Sequence, residues 1–211
     1  MHRHIALFDL DGVVFDTEPQ YSLFWGSQYK KYYPQQPGLE HSIKGMTLKQ
    51  IFERHFDNML DIQQAITLEL NEFERNMNYS YVAGFEAFIK KLRSIGVKTG
   101  VVTSSNLAKM QNVYAKHPEF IQYFDEILTS EDFSKSKPDP DCYLKAAQRF
   151  NVSVDECVGF EDSFNGLKSL RGAGVAVVGL ATTNSREALA SYADKIIDNY
   201  LAVTPTDVFF V

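Results

Sequence analysis

Ile5-Ala6-Leu7-Phe8, running into Asp9-Leu10-Asp11-Gly12-Val13-Val14-Phe15-Asp16-Thr17, is the stretch on which the reading of this chain turns. The four apolar residues predict a short buried strand, which ends abruptly in two carboxylates one position apart. In extended backbone, side chains two apart share a side, so Asp9 and Asp11 crowd together at the strand end. Like charges there repel unless a cation or a proton intervenes. Gly12 then releases the chain into a turn. Such a pair suits a hard divalent ion and covalent or acid–base chemistry.

Beyond Thr17 the pattern changes period. Tyr21, Phe24, Trp25, Gln28, Tyr29 and Tyr32 recur at helical spacing, and Pro34 and Pro37-Gly38 close that helix. Thr47-Leu48-Lys49-Gln50 reads as a capping box, with Leu48, Ile51, Phe52, His55 and Phe56 as the buried stripe of the helix it opens. Ile62, Ala65, Ile66, Leu70 and Phe73 mark a third helix. Nothing between residues 18 and 80 resembles a strand, so this segment reads as an all-helical insert.

From Gly84 helix and strand alternate. Phe85, Phe88, Ile89 and Leu92 give a helix that stops at Gly96, and Val97 to Val102 a strand leading into Thr103-Ser104-Ser105-Asn106. A helix through Leu107, Met110 and Tyr114 follows, with Ser105 as its expected cap, then a strand at Glu126 to Leu128. Asp139-Pro140 predicts a helix start, with aspartate capping and proline in the first turn. Tyr143, Leu144, Ala147 and Phe150 carry that helix. Cys157-Val158-Gly159-Phe160 is the next strand, and Glu161-Asp162-Ser163 opens another helix. Val175 to Val178 and Lys195 to Ile197 complete the strands. The fold class expected is α/β: a Rossmann-like parallel sheet with helices on both faces, plus the inserted helical segment.

This arrangement gathers the chemistry at one edge. Asp9, Asp11, Thr103, Glu161 and Asp162 all follow predicted strands, where open parallel sheets bind their ligands. Lys137, in Ser134-Lys135-Ser136-Lys137-Pro138, falls on the same side if the strand at Leu128 is parallel. Two carboxylate pairs, a hydroxyl and a lysine suit a divalent metal and a phosphoryl group. Each also has a plainer structural reading: Asp9 as a turn cap, Thr103 as a helix cap, Lys137 as a solvated loop lysine, and Glu161 and Asp162 as partners of a helix dipole.

Composition narrows the class. The chain has 211 residues, of which 45% are hydrophobic and 23% charged, enough for one large or two modest domains with a proper core. A formal charge of -6 and the lack of any basic run argue against a nucleic-acid or anionic-membrane partner. Cys142 and Cys157 are expected to be buried thiols. Met1-His2-Arg3 before the apolar run has the look of a signal peptide, but Asp9 and Asp11 cut that run too short. No apolar stretch is long enough to span a membrane, and a cytoplasmic location is expected.

Four of these segments together resemble the signature of the haloacid dehalogenase-like hydrolases, in the branch with a small helical cap after the first motif that includes β-phosphoglucomutase and related phosphatases. Asp9-Leu10-Asp11-Gly12-Val13-Val14 resembles the first motif and Thr103-Ser104-Ser105 the second. Lys137-Pro138 resembles the third, and Gly159-Phe160-Glu161-Asp162-Ser163 the fourth. The resemblance implies a catalytic core of residues 1–17 and 81–211 and a cap of residues 18–80. It implies Asp9 as nucleophile, Asp11 as general acid and base, and Thr103 and Lys137 on the phosphoryl oxygens. Mg2+ would be held by Asp9, Asp162 and the backbone carbonyl of Asp11, with Glu161 binding it directly or orienting its waters. Ser104 and Ser105 would bind substrate. Members that cleave carbon–halogen bonds lack the second aspartate, because halide leaves without a proton. An alkoxide needs one, so Asp11 points to phosphate esters or anhydrides.

Selectivity is expected in the cap. Lys44-Gly45-Met46-Thr47 resembles the cap loop that points into the active site, which makes Lys44, Gly45 and Thr47 candidate substrate contacts; Lys44 is equally readable as an exposed lysine before a helix. Mutases carry an arginine shortly after that loop's glycine, and the position here is Leu48. The expected activity is therefore Mg2+-dependent hydrolysis, through an aspartyl-phosphate intermediate, of a small phosphorylated metabolite: an organic phosphate monoester, with sugar phosphates among the candidate substrates. A β-phosphoglucomutase-like mutase or an inorganic pyrophosphatase is the enzymatic alternative, and a phosphate-ligand-binding regulatory protein the non-enzymatic one. His41 and His55 are within the cap, His55 on its apolar face.

Overall fold

β1 (Ile5–Phe8) is buried on both faces, and its alternating side chains feed two separate cores. Ala6 and Phe8 join Phe85, Phe88, Met110 and Val113 on one side, while Ile5 and Leu7 join Cys142, Tyr143, Leu167 and Leu170 on the other. A strand buried on both faces is what a parallel sheet covered by two helical layers requires. The computed structural model describes residues 3–209, so Met1 and His2, the start of the signal-like stretch, lie outside the described residues.

Five more strands complete the sheet: β2 (Lys98–Val102), β3 (Glu126–Leu128), β4 (Cys157–Glu161), β5 (Ala176–Leu180) and β6 (Lys195–Ile197). All pairings are parallel and the order is β3-β2-β1-β4-β5-β6. The chain moves outward from β1 to one side, then returns to β4 on its other side. The order thus reverses at β1, and the crevice beyond the carboxyl ends of β1, β2 and β4 is the natural binding position.

The helices are α1 (Glu18–Tyr32), α2 (Leu48–His55), α3 (Leu60–Asn76), α4 (Phe85–Ser94), α5 (Leu107–Lys116), α6 (Asp141–Phe150), α7 (Phe164–Ala173), α8 (Arg186–Leu189) and α9 (Pro205–Phe209). Between Glu18 and Asn76 every regular element is helical, including a 3-10 turn at Leu39–Ile43. This segment has its own apolar cluster of Phe24, Trp25, Tyr29, Ile43, Ile51, Phe56, Ile66 and Leu70. Thr47 and Gln50 form the expected capping box. His55 packs its ring edge-on against Tyr29 at 5.3 Å, as its apolar-face position implies.

Three local expectations are corrected. Asn106, not Ser105, caps α5 by accepting from the Lys109 amide, which leaves the Ser105 hydroxyl for another partner. Pro140, not Asp139, occupies the cap position of α6, so the helix starts one residue later than expected, although Asp139 still accepts from the Asp141 amide at 3.0 Å. Leu144 is 45% exposed, and Cys142 and Ala146 take its place in the core. Both cysteines are free and buried, as expected. No helix among the described residues is long and apolar enough to cross a membrane.

Candidate active site

At the carboxyl ends of β1, β2 and β4 lies a cavity of about 650 Å3, roofed by α1, α2, α3 and the loop that precedes α2. Asp9, Asp11, Thr103, Ser104, Ser105 and Asp162 line it from the sheet side, and Lys44, Gly45 and Thr47 from the helical side. Lys137 and Glu161 lie just beneath, at 1% and 0% exposure. The eleven candidates read from sequence therefore converge on one site.

Lys137 is the hub of its floor. Its ammonium donates to Asp9 Oδ1 at 2.6 Å, Glu161 Oε1 at 2.6 Å and the Val102 carbonyl at 3.0 Å. Burial alone would discharge a lysine, but Asp9 and Glu161 outweigh it and hold the amine protonated. Glu161 is saturated: it also accepts from the Tyr143 hydroxyl at 2.9 Å, the Ser163 hydroxyl at 3.2 Å and the Asp162 amide at 3.1 Å. Asp9 spends one oxygen on Lys137, and its Oδ2 accepts no hydrogen bond among the described residues. Burial pushes the Asp9 carboxyl up to about 7 even against the pull of Lys137.

The Glu161 anchor makes Gly166 irreplaceable. A Cβ at Gly166, in the first turn of α7, would overlap the Glu161 carboxylate. Alanine has the higher helix propensity, by about 1 kcal/mol, yet Gly166→Ala is expected to destabilise by about 1–3 kcal/mol through overpacking. A lower urea midpoint at unchanged slope would show it, and an unchanged or higher midpoint would refute the clash.

Asp11 has a separate set of partners. Its Oδ1 accepts from the Thr17 hydroxyl, and its Oδ2 from the Ser105 hydroxyl at 3.2 Å and from the Lys109 ammonium. Lys109 is 2% exposed and sits 4.7 Å over the Tyr21 ring. Sequence reasoning missed it, although its place on a helix rising from the same sheet edge was the available signal. It also missed Thr182, Thr183 and Asn184, a polar triplet that follows β5 after Ala181. Thr183 donates to Asp162 Oδ2, Asn184 to the Asp162 carbonyl and Thr182 to the Gly12 carbonyl.

Asp9, Glu161 and Asp162 bring carboxylate oxygens within 4.8 Å of one another. Against them stands Lys137, and among the described residues the Asp162 side chain accepts only from the Thr183 hydroxyl. Burial, then Glu18, Glu161 and Asp9, push the Asp162 carboxyl well above its ordinary range. That surplus of buried negative charge fits a hard divalent cation with oxygen ligands.

The loop before α2 docks on the sheet side. Asn165 Nδ2 donates to the Lys44 carbonyl at 3.1 Å, Ser104 Oγ to the Gly45 carbonyl at 3.5 Å, and Gln50 Nε2 to the Lys137 carbonyl at 3.1 Å. Gly45 has φ +75°, and a Cβ there would lie 2.6 Å from Ser163 Oγ. Lys44 is not free in solvent: it pairs with Glu18 at 3.7 Å. His41 is exposed beside Glu40, and neither His41 nor His55 lines the cavity.

Comparison with known proteins follows the same outline. A sequence profile described as "Haloacid dehalogenase-like hydrolase" matches residues 6–180. Validoxylamine A 7'-phosphate phosphatase of Streptomyces hygroscopicus subsp. limoneus is 28% identical over 94% of this chain and 95% of its own length. Beta-phosphoglucomutase of Bacillus subtilis (strain 168) is 27% identical over 83% and 82%. A crystal structure of a HAD hydrolase, family IA, variant 3, from Entamoeba histolytica superposes with a TM-score of 0.83 over 97% of this chain and 96% of that one; at 23% identity, this is a likeness of fold.

Proposed function

This chain belongs to the haloacid dehalogenase-like hydrolase family, and on that premise we propose that it is a Mg2+-dependent phosphatase of a small organic phosphate monoester, with sugar phosphates in the substrate class. The observation that carries the reading is Asp9 itself: a carboxylate fixed through one oxygen by buried Lys137, with Asp11 lining the same side of the cavity. In this reading residues 18–80 are a cap over a core formed by residues 1–17 and 81–211.

Asp9 attacks phosphorus, its free oxygen forming the new P–O bond as the ester P–O bond breaks. The leaving alkoxide takes a proton from Asp11. Water then attacks the aspartyl-phosphate and gives its proton back to Asp11, releasing inorganic phosphate and restoring Asp9. Thr103 and Lys137 supply fixed donors to the phosphoryl oxygens, where such groups stabilise developing charge most. Thr17, Ser105 and Lys109 hold the Asp11 carboxylate in place between its two proton transfers. The cap excludes water from the site.

Asp9 and Asp162, with the backbone carbonyl of Asp11, would hold Mg2+, which when bound offsets the repulsion between the nucleophile and an anionic substrate. Glu161, saturated by other donors, instead orients Lys137 and the first turn of α7. The name of the Streptomyces relative, a phosphatase of a phosphorylated small molecule, supports hydrolysis. Leu48, which lines the cavity where mutases resemble one another in carrying arginine, argues against phosphate shuttling.

Release of inorganic phosphate from an aryl phosphate tests this directly. Chelation is expected to abolish turnover and added Mg2+ to restore it. Mg2+ at about a hundredfold over its Kd should also stabilise the protein by about 2.7 kcal/mol, a rise of about 5–10 °C in melting temperature. Turnover that ignores chelator, with no thermal shift, would overturn the metal assignment.

A further inference from the structure

We infer that the cap side of the cavity selects a leaving group that is uncharged or cationic and donates hydrogen bonds, such as a polyol or amino alcohol, and rejects one bearing a second anion; Glu74 is the selecting residue. The inference rests on the phosphatase reading and narrows it to a class of substrate.

Two observations carry it. The first is the state of the cations. Four glutamates (Glu18, Glu40, Glu53 and Glu74) and two lysines (Lys44 and Lys49) line the cavity from the helical segment. Lys44 is paired with Glu18 at 3.7 Å and Lys49 with Glu53 at 3.8 Å. Lys109, the lysine that lines the cavity from the sheet side, is paired with Asp11. Neither arginine nor histidine lines the cavity among the described residues. A second phosphate would therefore enter a chamber with twice as many cap carboxylates as amines, where Lys44 and Lys109 already hold carboxylates and Lys49 faces solvent. Like-charge juxtaposition of this kind is a strong discriminator between ligands.

The second observation is Glu74. It is 7% exposed, projects from α3 and lines the cavity. Its Oε1 accepts from the Tyr21 hydroxyl at 2.7 Å, while its Oε2 accepts no hydrogen bond among the described residues. That second oxygen is open to the cavity and can accept from whatever occupies it. The donors nearest in kind, Tyr21 and Lys109, are already committed to Oε1 and Asp11. Burial pushes the Glu74 carboxyl up, with Lys109 pulling the other way. A substrate hydroxyl or ammonium would complete the set. The remaining wall, with Trp25, Ile43, Met46 and Ile51, suits the carbon face of such a molecule.

The test is a kinetic comparison on the wild-type protein with Mg2+: a hexose monophosphate, an amino-alcohol phosphate, the corresponding hexose bisphosphate, pyrophosphate and an aryl phosphate. The better of the first two should exceed bisphosphate and pyrophosphate in kcat/KM by about 100-fold. Glu74→Gln should cut the ratio of donor-bearing to aryl substrate by about tenfold, chiefly through KM. A bisphosphate or pyrophosphate handled as well as the monophosphates would overturn the inference, and so would a ratio that Glu74→Gln leaves unchanged. Aryl phosphate separates the two failures: turnover there with no preference sinks the selectivity alone, while no turnover on any ester sinks the phosphatase reading and the inference with it.

Discussion

Asp9→Asn is expected to lower phosphate release by at least about 10^4-fold while leaving the fold intact or slightly more stable. The amide has the shape of the carboxylate, and its oxygen can still accept from Lys137, so the floor of the site keeps its geometry. What it lacks is the electron-rich second oxygen that would bond to phosphorus. The stability side follows from electrostatics. Burial and the neighbouring Glu161 and Asp11 carboxylates push Asp9 up to about 7, so removing its charge relieves repulsion around the Lys137 ammonium, which Asp9 shares with Glu161. The paired measurement is phosphate release and a thermal melt, with an acid-quenched intact mass to detect the phosphorylated protein. A wild-type rate in Asp9→Asn would sink the covalent route.

Lys137→Met should do the opposite to stability. Methionine matches the lysine stem but provides no donor, so Asp9, Glu161 and the Val102 carbonyl lose theirs together. Stranding a buried charge by removing its partner costs about 3–5 kcal/mol. For a chain of this size that lowers the melting temperature by about 6–20 °C. Adding Glu161→Gln to Lys137→Met should recover part of the loss, because the amide no longer carries an unpaired charge, and the double variant measures that coupling. Equal melting temperatures for wild type and Lys137→Met would show that the lysine is not the keystone of the floor. Activity should fall in both variants, which separates the structural effect from the catalytic one only when read beside Asp9→Asn.

The long helices were legible because each carries an apolar stripe over several turns, and the short strands because each is a brief run of apolar residues in an alternating helix–strand order. β1, β3 and β6 match their expected residues, and the helical stripe of α1 is buried at Phe24, Trp25 and Tyr29. The short helices α8 and α9 and the 3-10 turns escaped, since a few residues cannot show a period. Ser105 and Asn106 are both good caps, and the choice was made by Asp11, which claims the Ser105 hydroxyl. At the site, motif residues were legible by kind and order. Lys109 and Glu74 were not, because a charged residue on a helix looks solvated until its burial is known. Thr183 is in the same position: its role depends on β5 ending beside β4, a fact of topology rather than of local sequence.

The grip between loop and sheet edge has a further consequence. Asn165, Ser104 and Gln50 all hold peptide carbonyls, those of Lys44, Gly45 and Lys137. Every amino acid carries that acceptor, so substitutions at position 44 leave its tether to Asn165 in place. The side chains that meet a leaving group are thereby uncoupled from the bonds that seat the loop. Position 45 is the exception, fixed as glycine by its positive φ and by Ser163. A lineage could thus retune what this site recognises one residue at a time, without having to rebuild the closure that makes the reaction possible.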